Sequence, residues 1–219
     1  MQTEGLYIRS SLQSTGVFGP NRHEEQMWKI TVIGAMVLLT LSCSGNEPKS
    51  ERKSFSVEKG KPQVVLETDA GKIVLELFPD VAPNHVRNFL DLVERGFYDG
   101  LTFHRVVKRL VIQAGSPDGS SAGNAGFSIS AEFSKVPHLP GTVGMARGRD
   151  PNSASSQFYI CLAQLPDLDG QFTVFGQTVE GMDVVQKIGD IETETDPQTG
   201  EASRPVVPVR ILKAYRNIE

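Results

Sequence analysis

The segment at residues 101–114 reads LTFHRVVKRLVIQA. Runs of β-branched and aromatic residues on either side of a short polar break predict two consecutive strands, Leu101–Val107 and Leu110–Ala114. Arg105 stands inside the first run, so its side chain points to one face of a sheet. A cation at such a position is solvated, paired or part of a site, and a solvated surface arginine is the ordinary interpretation.

The sequence before this segment predicts a hairpin and a helix. VVLETD and AGKIVLELF are apolar runs around Asp69-Ala70-Gly71, which is typical of two paired strands and their turn. Pro83 favours the first turn of a helix, and Gly96 favours its end. Between them an apolar stripe recurs at helical spacing: Val86, Phe89, Leu90 and Val93.

The sequence after this segment begins with a Gly/Ser-rich stretch, 115–126, which predicts a large surface loop. Met182–Ile188 has a helical repeat, and the remaining strand candidates are Phe127–Ile129, Gly141–Ala146, Gln157–Leu162, Phe172–Thr178 and Val206–Tyr215. Many short strands, two helices and long loops predict a mainly β fold, a closed β-barrel with helical caps.

The composition excludes several classes of protein. The chain has 219 residues, 39% apolar residues and a net charge of −4, so it is globular and carries no basic surface for nucleic acid. Two cysteines cannot build a disulfide framework, and four scattered histidines show no metal-ligand spacing. We therefore expect no metal and no nucleic-acid partner.

An apolar stretch near the N-terminus, ITVIGAMVLLTL at 30–41, predicts an export signal. Its length matches the core of a signal peptide and is too short to span a bilayer, and Lys29 supplies the positive flank. A buried helix or strand is the alternative. We assign residues 27–42 to the signal and treat residues 1–26 as a doubtful extension, because Glu24 and Glu25 are unusual in front of such a core and Met27 is a more natural start.

Small residues follow the apolar stretch, and Ser42-Cys43 resembles the processing site of a bacterial lipoprotein signal. The resemblance implies that Cys43 is lipidated and anchors the chain to a membrane, facing the periplasm or the cell exterior. Cleavage without lipidation is the alternative. Residues 43–61 are polar and charged and predict a flexible tether, which leaves residues 62–219 as one domain.

Five motifs occur in order along this domain: FHRVV…VIQAGSP, AEF, GTVGMAR, SQFYI and LDGQFTVFG. The series resembles the cyclophilins, which are peptidyl-prolyl cis-trans isomerases, and the longer MARGRDPNSASSQF stretch resembles their bacterial branch. The resemblance extends from about Val64 to Ile218. It implies a closed eight-stranded antiparallel β-barrel capped by two α-helices.

The resemblance also assigns roles to individual residues. Arg105 matches the catalytic arginine, and Gln113 matches the glutamine that orients the peptide and the arginine. Ala146 and Arg147 match the segment that pairs with the backbone before the proline. The remaining substrate-binding positions form the proline pocket: Leu110, Val111, Tyr159, Leu168 and Phe172.

The implied reaction is rotation about an X–Pro bond, whose barrier is about 18–20 kcal/mol because resonance stiffens the C–N bond. No covalent bond breaks, so we expect no cofactor. The partners would be exported or unfolded proline-containing polypeptides, and we expect a monomer.

Alternatives to an active isomerase stay open, and one acidic segment has a separate interpretation. Leu110 stands where most cyclophilins have Phe, which keeps open a proline-peptide binding module or chaperone with little turnover. The acidic segment 190–201 predicts a solvated loop. A lipoprotein with a purely structural role is a third possibility, and it would bind no proline peptide.

Overall fold

A computed structural model describes residues 60–217 of the chain. The doubtful extension 1–26, the signal 27–42, Cys43 and all of the tether except Gly60 and Lys61 lie outside the described residues. Neither helix within residues 60–217 is long and apolar enough to cross a membrane.

Eight of the described strands form one antiparallel sheet in the order β10-β1-β2-β7-β5-β6-β4-β3. Their bounds are β1 Gln63–Thr68, β2 Gly71–Leu77, β3 Arg105–Val107, β4 Val111–Ala114, β5 Thr142–Met145, β6 Phe158–Cys161, β7 Val174–Glu180 and β10 Ile211–Asn217. The predicted hairpin at Asp69–Gly71 is present, since β1 pairs with β2 from Gln63 to Thr68.

The prediction of a closed barrel is wrong. The sheet is an open, curled half-barrel, because its end strands β10 and β3 form no ladder with each other among the described residues. Across this gap Thr102 and Arg210 form an isolated bridge. Three backbone bonds accompany it: Phe103 N–H to the Val209 carbonyl at 2.9 Å, Ile211 N–H to the Leu101 carbonyl at 2.7 Å and Gly100 N–H to the Ile211 carbonyl at 2.7 Å. Only three residues of the predicted strand Leu101–Val107 are in β3, and they pair with β4.

Alternation along the central strands separates a core face from an outer face. Val106, Ile112, Ile160 and Val143 lie opposite one another across β3, β4, β6 and β5, and all four are fully buried. They belong to the main core, which also contains Phe89, Tyr98 and Phe175. Residues one position away along each strand must point to the outer face.

Helix α1, Pro83–Glu94, packs its apolar stripe into this core. Its N-terminus has no cap from its own side chains. Glu132, in the AEF motif, takes that role from a distant loop: its carboxylate accepts bonds from the backbone N–H groups of Asn84 and His85, each at 3.0 Å. The motif thus fixes where the helix begins.

Three further segments differ from expectation. Phe127–Ile129 forms one bridge, between Ile129 and Ala154, and no strand. The final strand begins at Ile211, and Val206 and Val207 before it are exposed. The acidic segment is folded in part: β8, Thr193–Thr195, pairs with β9, Ala202–Pro205, as a separate hairpin. The second helix, α2 Met182–Gly189, lies where the sequence predicts it.

Candidate active site

The outer face of the sheet brings the predicted catalytic pair together in one row. Arg105 of β3 lies opposite Gln113 of β4, and Gln113 lies opposite Tyr159 of β6. Directly opposed residues of antiparallel strands share a face. The Arg105 Nη1 group donates to Gln113 Oε1 at 2.9 Å.

A second row, two residues further along these strands, is apolar. Val107, Val111 and Cys161 lie opposite one another on the same outer face. A small hydrophobic cluster, which we call the outer cluster, forms around them from Val111, Tyr159, Cys161 and Leu168, with Val107, Ala146, Leu165 and Phe172 packed against it. The arginine therefore lies beside a compact apolar surface.

The ring of Tyr159 is held from two sides. Across the ladder it faces Gly144, and a Cβ at that position would overlap the tyrosine ring, so glycine is needed there. The rings of Tyr159 and Phe172 meet edge to face with centroids 6.1 Å apart. Because the tyrosine is buried, its pKa lies well above the ordinary value of 10.0.

The Tyr159 hydroxyl is the buried end of a chain of polar groups that runs through buried His138 to Asp169, which is exposed. It lies 2.9 Å from His138 Nε2, and His138 Nδ1 lies 2.8 Å from Asp169 Oδ1. In the neutral tautomer whose Nδ1–H donates to the carboxylate, His138 Nε2 is the acceptor for the phenol O–H. The hydroxyl that tyrosine brings to this position is thus satisfied, and the ring orientation is fixed.

Gln157 links the row to the Gly/Ser-rich loop. Its Oε1 accepts a bond from Gln113 Nε2 at 2.7 Å, and its Nε2 donates to the Gly123 carbonyl at 2.6 Å. The same Oε1 lies 3.2 Å from His104 Nε2. Burial lowers the pKa of His104 below its ordinary value, despite the raising effect of the Gln157 bond.

A carboxylate from the hairpin completes the surroundings of Arg105. Glu201, just before β9, accepts bonds from Arg105 Nε at 2.7 Å and from Nη2 at 3.0 Å. Burial raises the pKa of Glu201, but the hydrogen bonds and charge of Arg105 outweigh burial and leave that pKa below its ordinary value. The prediction of a solvated loop over 190–201 is therefore wrong at Glu201, whose side chain is 15% exposed.

The structure unites all but one of the predicted site residues and separates Leu110 from the rest. Arg105 and Gln113 are bonded, and Val111, Ala146, Tyr159, Leu168 and Phe172 share the outer cluster. Leu110 lies outside the cluster, in the turn before β4, and is 38% exposed. Arg147 stacks its guanidinium over the Phe172 ring at 4.4 Å and donates to the Gln171 carbonyl.

Sequence reasoning missed Gln157 and Glu201. The sequence pattern could have identified Gln157, because it stands two residues before Tyr159 in SQFYI and so lies on the same face of the strand. No sequence pattern indicates Glu201, because it lies 96 residues from Arg105 in a segment whose charge is typical of solvated loops.

Comparisons with known proteins point to one family. The family model described as cyclophilin type peptidyl-prolyl cis-trans isomerase/CLD matches residues 63–216. A peptidyl-prolyl cis-trans isomerase of Synechococcus elongatus is 47% identical over 129 residues, covering 58% of this chain and 88% of that protein. A probable peptidyl-prolyl cis-trans isomerase of Brucella suis is 44% identical over 163 residues, covering 69% of this chain and 80% of that protein.

The fold is shared with a solved cyclophilin type peptidyl-prolyl cis-trans isomerase of Cryptosporidium parvum. That crystal structure superposes with a TM-score of 0.65 at 26% identity, covering 73% of this chain and 99% of its own. A second structure of the same protein, solved in the presence of the dipeptide Ala-Pro, superposes with a TM-score of 0.64. With five ordered motifs, a matching family model and a matching fold, the chain belongs to the cyclophilin-type peptidyl-prolyl cis-trans isomerase family.

Proposed function

We propose that this chain catalyses the cis-trans isomerisation of X–Pro bonds in exported or unfolded polypeptides. One observation carries the proposal: Arg105 and Gln113 are hydrogen-bonded to each other on the sheet face that also carries the outer cluster. An apolar surface for a proline ring and a fixed cationic donor beside it are the two groups that the reaction needs.

Arg105 retains donors for the substrate. A guanidinium has five N–H groups. Glu201 accepts two of them and Gln113 accepts one, which leaves one on Nη1 and one on Nη2 without an acceptor among residues 60–217. These two can donate to the peptide carbonyl and toward the imide nitrogen.

The chemistry follows from the electronic structure of the imide. Rotation removes the resonance that gives the C–N bond its double-bond character, so electron density returns to the nitrogen. A hydrogen bond donated to that nitrogen is stronger in the twisted state than in either planar state. Because the enzyme then binds the twisted state more tightly, the barrier to rotation falls. Arginine suits this role because it stays charged and its donors lie in a rigid plane.

The outer cluster supplies the second requirement. Burial of a proline ring against Val111, Tyr159, Leu168 and Phe172 holds one side of the imide still while the other side rotates. Gln113 is itself held by Gln157, so the arginine is fixed through two successive amides.

Exchange spectroscopy on an Ala-Pro peptide tests the proposal. The wild-type chain should accelerate cis-trans exchange, which takes tens to hundreds of seconds without a catalyst. Exchange no faster than in buffer would contradict it. Peptide binding without acceleration would instead identify a proline-peptide binding module, a result that the exposed Leu110 in place of a pocket aromatic would help to explain.

We propose further that the chain belongs to the bacterial branch of its family, acts as a monomer and is exported and held at a membrane by lipidated Cys43. The apolar stretch 30–41, Lys29 and the small residues around Cys43 support export and anchoring. Growth with labelled palmitate should label the wild type and leave Cys43→Ser unlabelled. Equal labelling of both would contradict the anchor, and sedimentation of the purified domain as a dimer would contradict the monomer.

A further inference from the structure

Glu201 contacts the guanidinium of Arg105 through both carboxylate oxygens. Oε2 accepts from Nε at 2.7 Å, and Oε1 accepts from Nη2 at 3.0 Å, so the pair is bidentate along one edge of the guanidinium. Two parallel bonds of this kind fix the plane of the group as well as its position. Gln113 holds the remaining terminal nitrogen at 2.9 Å.

The backbone that carries the Glu201 side chain is held by hydrogen bonds. The Glu201 carbonyl accepts the backbone N–H groups of Asp196 at 2.8 Å and of Ser203 at 2.9 Å, which closes the loop between β8 and β9. The Gly200 N–H bonds back to the Asp196 carbonyl at 2.8 Å. Glu201 therefore stands at the base of a hydrogen-bonded turn, and its side chain reaches Arg105 from a fixed backbone.

The position of these contacts matters for the reaction. Glu201 takes the edge of the guanidinium formed by Nε and Nη2, and it leaves one N–H on each terminal nitrogen for a substrate. Loss of the carboxylate would leave the guanidinium held by the single bond to Gln113, about which its plane could turn, since the Arg105 side chain is 26% exposed. A donor that must point at a transient imide nitrogen is sensitive to such misplacement.

We infer that Glu201 is a positioning residue for isomerisation, which orients Arg105 by clamping one edge of its guanidinium. The inference rests on the proposed function. The β8–β9 hairpin, Thr193–Pro205, forms a separate sheet. The inference gives this hairpin a role in the active site on the eight-stranded sheet. The alternative is that Arg105 serves only to dock the hairpin.

The test compares Glu201→Ala and Glu201→Gln with the wild type in the exchange assay, using Arg105→Ala as the inactive reference. Glu201→Ala should lower kcat/KM by about 5- to 20-fold, since the donor is kept but its orientation is lost. The kcat/KM of Glu201→Gln should lie between those of Glu201→Ala and the wild type, because the amide oxygen can still accept one hydrogen bond from Arg105. Glu194→Gln is the matched control: it lies on the same hairpin, is 56% exposed and pairs with Arg204 at 3.6 Å, so its kcat/KM should equal that of the wild type.

Spectroscopy follows the Arg105 guanidinium, and kcat/KM compared with limited proteolysis of the hairpin separates positioning from docking. The Arg105 Nε–H resonance should be protected from solvent exchange in the wild type and should become exchange-broadened in Glu201→Ala, with backbone amide shifts outside the hairpin unchanged. If Glu201→Ala retains wild-type kcat/KM, or exceeds it, while proteolysis at 190–204 becomes faster, the hairpin is merely docked and the inference is wrong. An inactive wild type would instead overturn the proposed function.

Discussion

Tyr159 brings a hydroxyl group into the outer cluster, and His138 and Asp169 behind it accommodate that group. The hydroxyl lies 2.9 Å from His138 Nε2, and both His138 and Tyr159 are buried. A phenylalanine here would fit the same space beside Gly144 but would leave the imidazole nitrogen without its donor. The cost of that loss is the desolvation of a buried polar atom.

Tyr159→Phe should therefore lower the free energy of unfolding by about 1–3 kcal/mol, because His138 Nε2 stays buried and unpaired. Urea unfolding at neutral pH measures this difference in the free energy of unfolding. Tyr215→Phe is the matched control: its hydroxyl donates to Glu67 Oε1 at 3.0 Å, but the residue is 37% exposed and water can replace the bond. Equal stability losses in the two variants would contradict the stabilising role of the buried bond between Tyr159 and His138.

At the scale of single elements, helix α1 depends on Glu132, a residue outside the helix. The carboxylate accepts the N–H groups of Asn84 and His85 and also lies 2.7 Å from His85 Nδ1. Burial raises the pKa of Glu132, but the bonds from His85 and Asn84 outweigh it and leave that pKa below its ordinary value. Pro83 in the first turn removes one donor that would otherwise need a partner.

Glu132→Ala should lower the free energy of unfolding by about 1–3 kcal/mol, because it leaves two helix N–H groups and a buried imidazole without an acceptor. The matched control is Glu94→Ala at the other end of the helix, where an exposed carboxylate pairs with Arg216 at 3.2 Å. That change should lower the free energy of unfolding by less than about 1 kcal/mol. Similar losses in the two variants, measured by urea unfolding, would show that Glu132 does not cap the helix.

The elements also show what sequence could and could not predict. Strand alternation around Arg105 predicted a sheet face for its side chain, and the motifs predicted Gln113 and Tyr159 beside it. The open sheet was not predicted, because the shortness of β3 depends on how residues 101–104 meet the segment before β10. Glu201 was not predicted either, since a contact across 96 residues leaves no periodic signal.

At the scale of the whole molecule, two buried histidines link stability to pH. Burial lowers the pKa of both His85 and His104 below the ordinary value of 6.5, in each case against the raising effect of a hydrogen-bond partner. His85 Nε2 is buried without a hydrogen-bond partner among the described residues. The folded state therefore resists protonation at both positions.

The sign of the effect follows from linkage. Below pH 6.5 the unfolded chain binds protons at these histidines while the folded chain does not, so stability falls as the pH falls toward the folded-state pKa values. Urea unfolding at a series of pH values from 7.5 to 5 should show this decline, and His104→Gln should make it shallower. A free energy of unfolding that stays constant over this range would contradict the assignment.

The most direct test of the account is the catalytic role of Arg105. In exchange spectroscopy on an Ala-Pro peptide, Arg105→Ala should lower kcat/KM by about 100-fold or more, since removal of one preorganised donor costs a factor of this order. The outer cluster is intact in this variant, so peptide binding should persist. If Arg105→Ala isomerises the peptide within about two-fold of the wild-type rate, a change too small for the loss of such a donor, the arginine is not the catalytic group and the account is wrong.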